Sequence, residues 1–219
     1  YTAIDENGVM EIPSETVIDG ETYYVTAIEP GSCEAVSADR IGGHVREHAE
    51  EMGWEIEDCE WTYPKSIVIP ETVRCIGGEA FVHHNYWDEE NEVHFGLESV
   101  TLPREVKWIE PSAFVGSWLI TEFTNLDAYG AESGNPYRLT EDGSIVSVWA
   151  ENYFHTYPYG STAAEYTIPD GIEVIGHCAF HNAKNLVSVT LSEGVRWLEN
   201  EAFAWCDNLE TISLPSTLE

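Results

Sequence analysis

The chain has 219 residues, and its 40 Asp and Glu against 9 Lys and Arg give a formal net charge of −31. A polyanion of this kind repels phosphate backbones and anionic lipid headgroups, so we expect no nucleic acid partner and no membrane insertion. The hydrophobic content of 43% is ample for a folded core, and no run of about 18 apolar residues indicates a membrane span.

The first elements are a partial coil, about residues 12 to 33, and a 34–64 insertion. Within the insertion, Ser37 is a plausible N-cap and Gly53 a natural helix stop, and four apolar residues between them share one helical face: Ile41, Val45, Ala49 and Met52. The spacing predicts a helix. The segment that follows it, with Trp54, Ile56 and Trp61, is expected to be extended and to pack the helix onto the rest of the fold.

An internal repeat occupies most of the remaining chain. Each copy has an apolar residue followed by Pro or Ser, then Val or Ile, then Ile or Leu, then Ala-Phe; the copies begin at Ile69, Leu102, Ile168, Leu191 and, incompletely, Leu214. The spacing of the last full copies is 191 − 168 = 23, within the range of leucine-rich repeats. We therefore expect one solenoid domain, 1–219.

One copy shows how each coil is built. Leu186, Val189 and Leu191 alternate with Ser188 and Thr190, which predicts a short strand with one buried face. The next segment, Val195 to Phe203, spaces its apolar residues as a turn or short helix on the opposite side does. The predicted fold class is thus an α/β solenoid, with a sheet of short strands on one face and turns or short helices on the other.

Two further departures from the repeat follow in chain order. A loop insertion at 82–96 lengthens one coil to 102 − 69 = 33 residues, and a strand-rich spacer at 124–164 separates two repeat blocks. The chain ends at Glu219 in mid-coil without a polar cap, so we expect further repeats or modules in the same protein.

These residues carry a specific resemblance. The pattern Ile-Pro-x-x-Val-x-x-Ile-Gly-x-x-Ala-Phe, at 69–81 and with Ile for Val at 168–180, is similar to that of the BspA-type (treponemal-type) leucine-rich repeat family. Members are mainly secreted or surface proteins of anaerobic bacteria and some protists, several implicated in adhesion. The resemblance therefore implies a secreted or cell-surface location and an adhesive or protein-binding role. It implies no ligand.

Three histidine groups were weighed as metal sites. His44-Val45-Arg46-Glu47-His48 matches the inverted zinc-peptidase pattern, but a short insertion cannot supply a substrate cleft, so a solvated helix face is the favoured interpretation. His177-Cys178-x-x-His181 lacks a second pair, and alignment places His177 and Cys178 at outward positions. His83, His84 and His94 with neighbouring acids fit no metal loop. We predict no metal, no cofactor and no catalytic residue, because no catalytic motif occurs.

The five cysteines are an odd number without a close pair, so their redox state is left open. We expect them to be small buried thiols at repeat positions: Cys33, Cys59, Cys75, Cys178 and Cys206.

The candidate binding residues fall into two sets. Outward strand positions are predicted to stack hydroxyls into a ladder along the sheet: Ser99, Thr101, Thr167, Ser188, Thr190, Thr211 and Ser213. Aromatic residues outside the repeat positions offer surfaces for stacking on sugars or for anchoring a protein, chiefly Trp87, Trp149 and Tyr157. Exposed strand chemistry and spacer packing are the alternative explanations for the two sets.

The leading functional hypothesis is a non-enzymatic module that binds protein, or mediates adhesion, on an extracellular surface. Two alternatives stay open. The aromatic residues suggest a carbohydrate-binding or accessory module of a multimodular extracellular enzyme system, with a glycan ligand. The open last coil is consistent with a purely structural spacer.

Overall fold

The computed structural model describes residues 4–30, 64–81, 85–88, 93–125, 136–147 and 152–219. These residues form short strands and contain no α-helix. The strands are β1 (Val9–Glu11), β2 (Glu15–Ile18), β3 (Glu21–Tyr24), β4 (Ala27–Ile28), β5 (Ser66–Val68), β6 (Cys75–Ile76), β7 (Asn85–Asp88), β8 (Val93–Gly96), β9 (Ser99–Thr101), β10 (Trp108–Ile109), β11 (Glu122–Thr124), β12 (Tyr137–Leu139), β13 (Ile145–Ser147), β14 (Tyr153–Thr156), β15 (Glu165–Thr167), β16 (Val174–Ile175), β17 (Ser188–Thr190), β18 (Trp197–Leu198) and β19 (Thr211–Ser213). No helix in this part of the chain is long and apolar enough to cross a membrane.

Two parallel sheets are built from the three-residue strands that the alternating pattern predicts. The first has the order β1-β5-β9-β11 and the second the order β15-β17-β19. The central residue of each strand points inward, so Ile67, Val100 and Val189 are fully or almost fully buried. Equivalent repeat positions pair directly across neighbouring strands, as the 23-residue period requires.

A second set of strands runs along the opposite side of each coil, where turns or short helices were expected. These strands have only two residues in most coils, and they pair in parallel as β10-β6-β4 and β14-β16-β18. Turns follow each one. The apolar residue at the end of the strand, such as Ile76 or Ile175, points into the core. The expected turns are therefore present, and the extra ladder was not foreseen because two residues are too few to show a periodicity.

The residue before Ala-Phe has left-handed backbone geometry in three coils, although it is not glycine. The φ angle is +53° at Glu79, +58° at Cys178 and +59° at Glu201. This geometry is uncommon for residues with a side chain. Its recurrence shows that the turn into each phenylalanine is set by the repeat itself.

The glycine of the Ile-Gly pair is required by close packing between coils. A Cβ at Gly77 would lie 2.7 Å from Pro30 Cδ, and one at Gly176 would lie 2.3 Å from Tyr153 Cε1. Distances under about 3.0 Å force a neighbour to move. The glycines therefore let the preceding coil approach the backbone.

Phenylalanine rings stack along the axis of the solenoid. Phe81 and Phe114 lie 5.4 Å apart between ring centroids, and Phe180 stacks on Phe154 at 5.0 Å and on Phe203 at 4.9 Å. The apolar residues form two buried clusters, one mainly from 28–123 and one mainly from 146–202. Each cluster belongs to one of the two repeat blocks.

The insertions differ from a plain loop. Residues 85–88 and 93–96 pair as an antiparallel hairpin, β7–β8, within the predicted 82–96 loop. Strands β12, β13 and β14 lie in the 124–164 spacer; they pair antiparallel, and β14 then joins β16 in parallel. The predicted helix of the 34–64 insertion lies outside the described residues.

A buried histidine joins the spacer to the first repeat block. His155 Nε2 lies 2.9 Å from the carbonyl oxygen of Ile109, and its Nδ1 lies 2.6 Å from the Thr156 hydroxyl. Because a carbonyl only accepts, Nε2 carries the proton and Nδ1 accepts from Thr156. The Tyr137 hydroxyl also accepts a hydrogen bond from the Ile109 amide, at 3.0 Å. Burial lowers the pKa of His155 to about 4, so the imidazole is neutral at pH 7.

Candidate functional site

The outward side of the first sheet carries a row of hydroxyl groups. The Ser99 hydroxyl donates to the Ser66 hydroxyl at 2.9 Å, and the Thr124 hydroxyl donates to that of Thr101 at 3.1 Å. All four residues are half-buried. Their side chains form inter-strand hydrogen bonds and still present oxygen atoms at the surface, so this row is ordered in advance of any contact.

The second sheet repeats the arrangement with more exposed groups. Thr167, Thr190 and Ser213 pair in register across β15, β17 and β19 and are exposed. Glu165, Ser188 and Thr211 form the parallel row two residues earlier. This sheet therefore presents two adjacent rows that are rich in hydroxyls and end at an exposed carboxylate.

The predicted ladder is two ladders. Thr101 pairs with Val68 and Thr124, and Thr167 pairs with Thr190, but Thr101 and Thr167 belong to different sheets. The spacer strands form a separate sheet between them in sequence, and this interrupts the row. Sequence analysis also missed Ser66 and Thr124. Aligning Ser66-Ile67-Val68-Ile69-Pro70 on Ser99-Val100-Thr101-Leu102-Pro103 would have identified the first of them.

Carboxylates stitch neighbouring coils together beside both sheets. Glu71 Oε2 accepts from the Arg104 backbone amide at 2.9 Å, and Glu193 Oε1 accepts from the Ser216 backbone amide at 3.3 Å. The two pairs occupy the same position in the repeat, directly after the strand. Asn125 extends the first of them, since its Nδ2 donates to Glu71 Oε1 at 2.8 Å. Part of the acidic composition thus satisfies backbone donors and is structural.

The aromatic candidates divide differently from the prediction. Tyr157 is only 1% exposed, and its ring stacks on Phe180 with centroids 5.0 Å apart. The expectation of an exposed Tyr157 is therefore corrected: the ring fills the core where the spacer meets the second block. The Trp87 side chain and Trp149 lie outside the described residues. The exposed aromatic residues that are described include Tyr23, Tyr24, Trp108 and Trp205, which sequence analysis did not select.

The His177-Cys178-x-x-His181 segment is a structural turn. Cys178 is buried instead of pointing outward, and the pKa of its thiol is raised to about 11 by burial and then by Glu201. His177 Nδ1 lies 2.7 Å from the carbonyl oxygen of Asn200. Burial lowers the pKa of His181. Within the described ranges no group of three or more His, Cys, Asp or Glu is arranged to hold a metal ion.

The cysteines and the remaining histidine motifs are only partly placed. Cys75, Cys178 and Cys206 are free thiols, and Cys75 is exposed although a buried position was expected. Cys75 precedes the inward Ile76 on β6, so the strand alternation turns its side chain outward. The His44–His48 motif, His83 and His84 lie outside the described residues, as does the side chain of His94.

Short parallel strands in 23-residue register, with a phenylalanine stack behind them, define a leucine-rich repeat protein. The family described as "BspA type Leucine rich repeat region" matches residues 59–129 and 154–219 in 6 copies, more than half of the chain. This chain belongs to that family. A comparison with curated protein sequences finds no significant match.

Solved structures with a similar fold come from gut and respiratory bacteria. A leucine rich cell surface protein from Faecalibacterium prausnitzii is 14% identical with a TM-score of 0.53; the alignment covers 99% of this chain and 75% of that one. The corresponding values are 20%, 0.48, 96% and 46% for a leucine-rich repeat protein from Bacteroides ovatus. For the pneumococcal vaccine antigen PcpA they are 19%, 0.39, 95% and 61%, so this chain spans less than two thirds of that chain. At these identities the likeness concerns the fold.

Proposed function

We propose that this chain is a non-catalytic interaction module of a secreted or cell-surface bacterial protein, and that it binds a protein ligand through its outward strand rows. The observation that carries the proposal is the in-register row Thr167–Thr190–Ser213, exposed on the second sheet. Family membership and the cell-surface description of the Faecalibacterium protein support the setting.

The chemistry of the rows suits a polar main chain or side chains of a partner. A hydroxyl both donates and accepts, so a row of them can match either kind of group on a ligand. The strand spacing places successive hydroxyls about 4.8 Å apart, which is the spacing of neighbouring strands. Exposed Glu165 and Glu122 lie within the rows and add negative charge. A ligand with some basic residues is therefore favoured.

A paired binding screen tests the proposal. One arm presents extracellular-matrix and microbial surface proteins and the other presents plant and host glycans, each at low and high salt. We expect saturable binding to a protein, weakening as salt rises because the rows are flanked by carboxylates. Glycan binding that is insensitive to salt would move the site to exposed aromatic residues, and no saturable binding in either arm would leave only a spacer role.

Variants locate the site once a ligand is found. Replacing the exposed row as T167A, T190A and S213A together should weaken binding at least about tenfold, because each lost hydrogen bond contributes about 0.5–1.5 kcal/mol. Thr162, exposed in a loop outside the sheets, provides the control T162A. Equal affinity of the triple variant and the control would place the binding surface elsewhere.

A further inference from the structure

The N-terminal hairpin β2–β3 exposes four large apolar side chains. Val17 is 67% exposed, Ile18 55%, Tyr23 52% and Tyr24 69%. These are residue types that strands normally bury against a neighbour. Contiguous exposed apolar groups of this size mark interaction sites more often than they occur by chance.

The hairpin is held in a defined shape. Asp19 and Gly20 have φ angles of +51° and +84°, the geometry of a two-residue turn that matches the twist of paired strands. At its base, Val25 N donates to the Ser14 carbonyl at 2.9 Å, and the Thr72 hydroxyl donates to the Val25 carbonyl at 2.7 Å. The hairpin is thus anchored to the first full coil at its base and presents its strands beyond it.

Each face of the hairpin carries one aliphatic and one aromatic residue. The register pairs Val17 with Thr22 and Glu15 with Tyr24, so Val17 and Tyr24 are diagonal neighbours on one face. Ile18 and Tyr23 occupy the opposite face in the same way. A strand added at either edge would continue both faces and could bury apolar side chains on each.

The edges of the hairpin can accept such a strand. Counting outward from the two-residue turn, Ile18 and Glu21 exchange hydrogen bonds with each other. The alternation of an antiparallel pair then directs the backbone groups of Val17 and Thr22 outward. No other strand of the described residues pairs with β2 or β3.

The charge around the hairpin defines the partner. Residues 4–30 contain seven acidic residues and no Lys, Arg or His, and several of the acids flank or belong to the hairpin, including Glu11, Glu15, Asp19 and Glu21. A second copy of this chain would bring the same acids together, so charge opposes pairing between copies. Lysine or arginine on an added strand would meet carboxylates, and also the Tyr23 and Tyr24 rings, which attract cations.

We propose that β2–β3 binds an extended basic peptide segment of another protein by strand addition, with aliphatic side chains of the segment packing on Val17 and Tyr24 or on Ile18 and Tyr23. This surface is distinct from the hydroxyl rows of the two sheets. The proposal therefore stands or falls independently of them.

The test uses the whole chain and a synthetic probe, a fluorescent peptide of alternating lysine and valine. Fluorescence anisotropy measures its binding at low and physiological salt, beside a peptide of alternating glutamate and valine. We expect saturable binding of the lysine peptide, weaker at higher salt, and none of the glutamate peptide. Tyr24→Ser should reduce the affinity at least fivefold, whereas Trp205→Ser, which removes an equally exposed aromatic residue from the last coil, should not change it.

Two proline variants separate strand addition from general attraction to a polyanion. Val17→Pro and Thr22→Pro each remove one outward backbone donor while leaving the hydrogen bonds within the hairpin in place. We expect one of the two, at the edge that is used, to abolish binding, with circular dichroism showing that the fold is retained. Equal loss in the Trp205 variant, or binding untouched by both prolines and by Tyr24→Ser, would overturn the proposal. The T167A, T190A and S213A variant should bind the peptide normally.

Discussion

His155 is the residue in which burial and charge conflict most directly. It is 2% exposed, and both ring nitrogens are engaged by the Ile109 carbonyl and by Thr156. Glu199 and Glu110 favour the protonated form, but burial outweighs them and lowers the pKa from 6.5 to about 4. In the unfolded chain the pKa returns to its ordinary value. Folding therefore becomes linked to pH through this one imidazole.

We expect the free energy of unfolding to fall as the pH drops from 6.5 towards 4. Over that window the unfolded chain binds a proton at His155 and the folded chain does not, which destabilises the fold by about 3 kcal/mol, with little further change from this residue below pH 4. Urea unfolding at pH 7 and at pH 4.5 measures the effect.

His155→Gln is the matched control for the pH prediction, because its amide can still donate to the Ile109 carbonyl and does not titrate. Its stability should vary less with pH than that of the parent. Parallel pH profiles for the two proteins would show that the histidine does not couple folding to pH.

At the residue scale, sequence analysis succeeded where a position recurs. The inward Val, Ile, Ala and Phe of the repeat are buried, and the register of Thr167, Thr190 and Ser213 follows from the 23-residue period. It did not place Tyr157, because a spacer residue has no equivalent in other coils to show which way it points. The buried His155 was not selected for the same reason.

At the scale of elements, each phenylalanine links its own coil to the next. Phe180 is completely buried and contacts Phe154, Tyr157 and Phe203, with ring centroids 4.9 to 5.0 Å apart. Phe203 occupies the same repeat position one coil later and is only partly buried. The two residues are therefore a matched pair that differ in how fully they are enclosed.

Phe180→Ala should destabilise the protein by about 3–5 kcal/mol, since it removes a buried ring and leaves a cavity between coils. Phe203→Ala should have a smaller effect, because part of its ring already contacts solvent. Chemical denaturation of both variants measures the difference. A larger loss for Phe203→Ala would contradict the stacking order described above.

The elements themselves were predicted unevenly. The three-residue strands and the spacer segment follow from alternation and from the interruption of the repeat. The two-residue strands β4, β6, β10, β16 and β18 did not, because pairing between coils creates them and no local pattern encodes so short an element. The hairpin β7–β8 lies where only an insertion was recognised, since its length shows that residues are added but not how they pair.

At the scale of the whole molecule, the net charge of −31 acts against the folded state. Compaction brings like charges closer together, and few cations are available to offset them. Some carboxylates are used as backbone acceptors, such as Glu71 and Glu193, and Arg74 and Arg196 pair with Glu105 and Glu219. Most of the acids have no such role, so their repulsion depends on the ionic strength.

The melting temperature should rise when NaCl is raised from about 0.01 M to 0.15 M, because the Debye length falls from about 30 Å to about 8 Å. Differential scanning fluorimetry measures the shift. A variant with Glu11→Gln, Glu15→Gln, Asp19→Asn and Glu21→Gln should show a smaller rise, since less repulsion is left to screen. A melting temperature that falls over this range would contradict the prediction.

The unequal lengths of the coils have a consequence for the order of folding. Strands β15, β17 and β19 pair residues 23 apart, as Glu165 with Ser188, whereas β1 pairs Val9 with Ser66 across 66 − 9 = 57 residues. Closing the longer loop is entropically less favourable by about 0.8 kcal/mol, so contacts form sooner where the loops are short. The second block is therefore expected to nucleate folding and the N-terminal strand to join last. In pulse-labelling hydrogen exchange, amides of β17 would then acquire protection before those of β1.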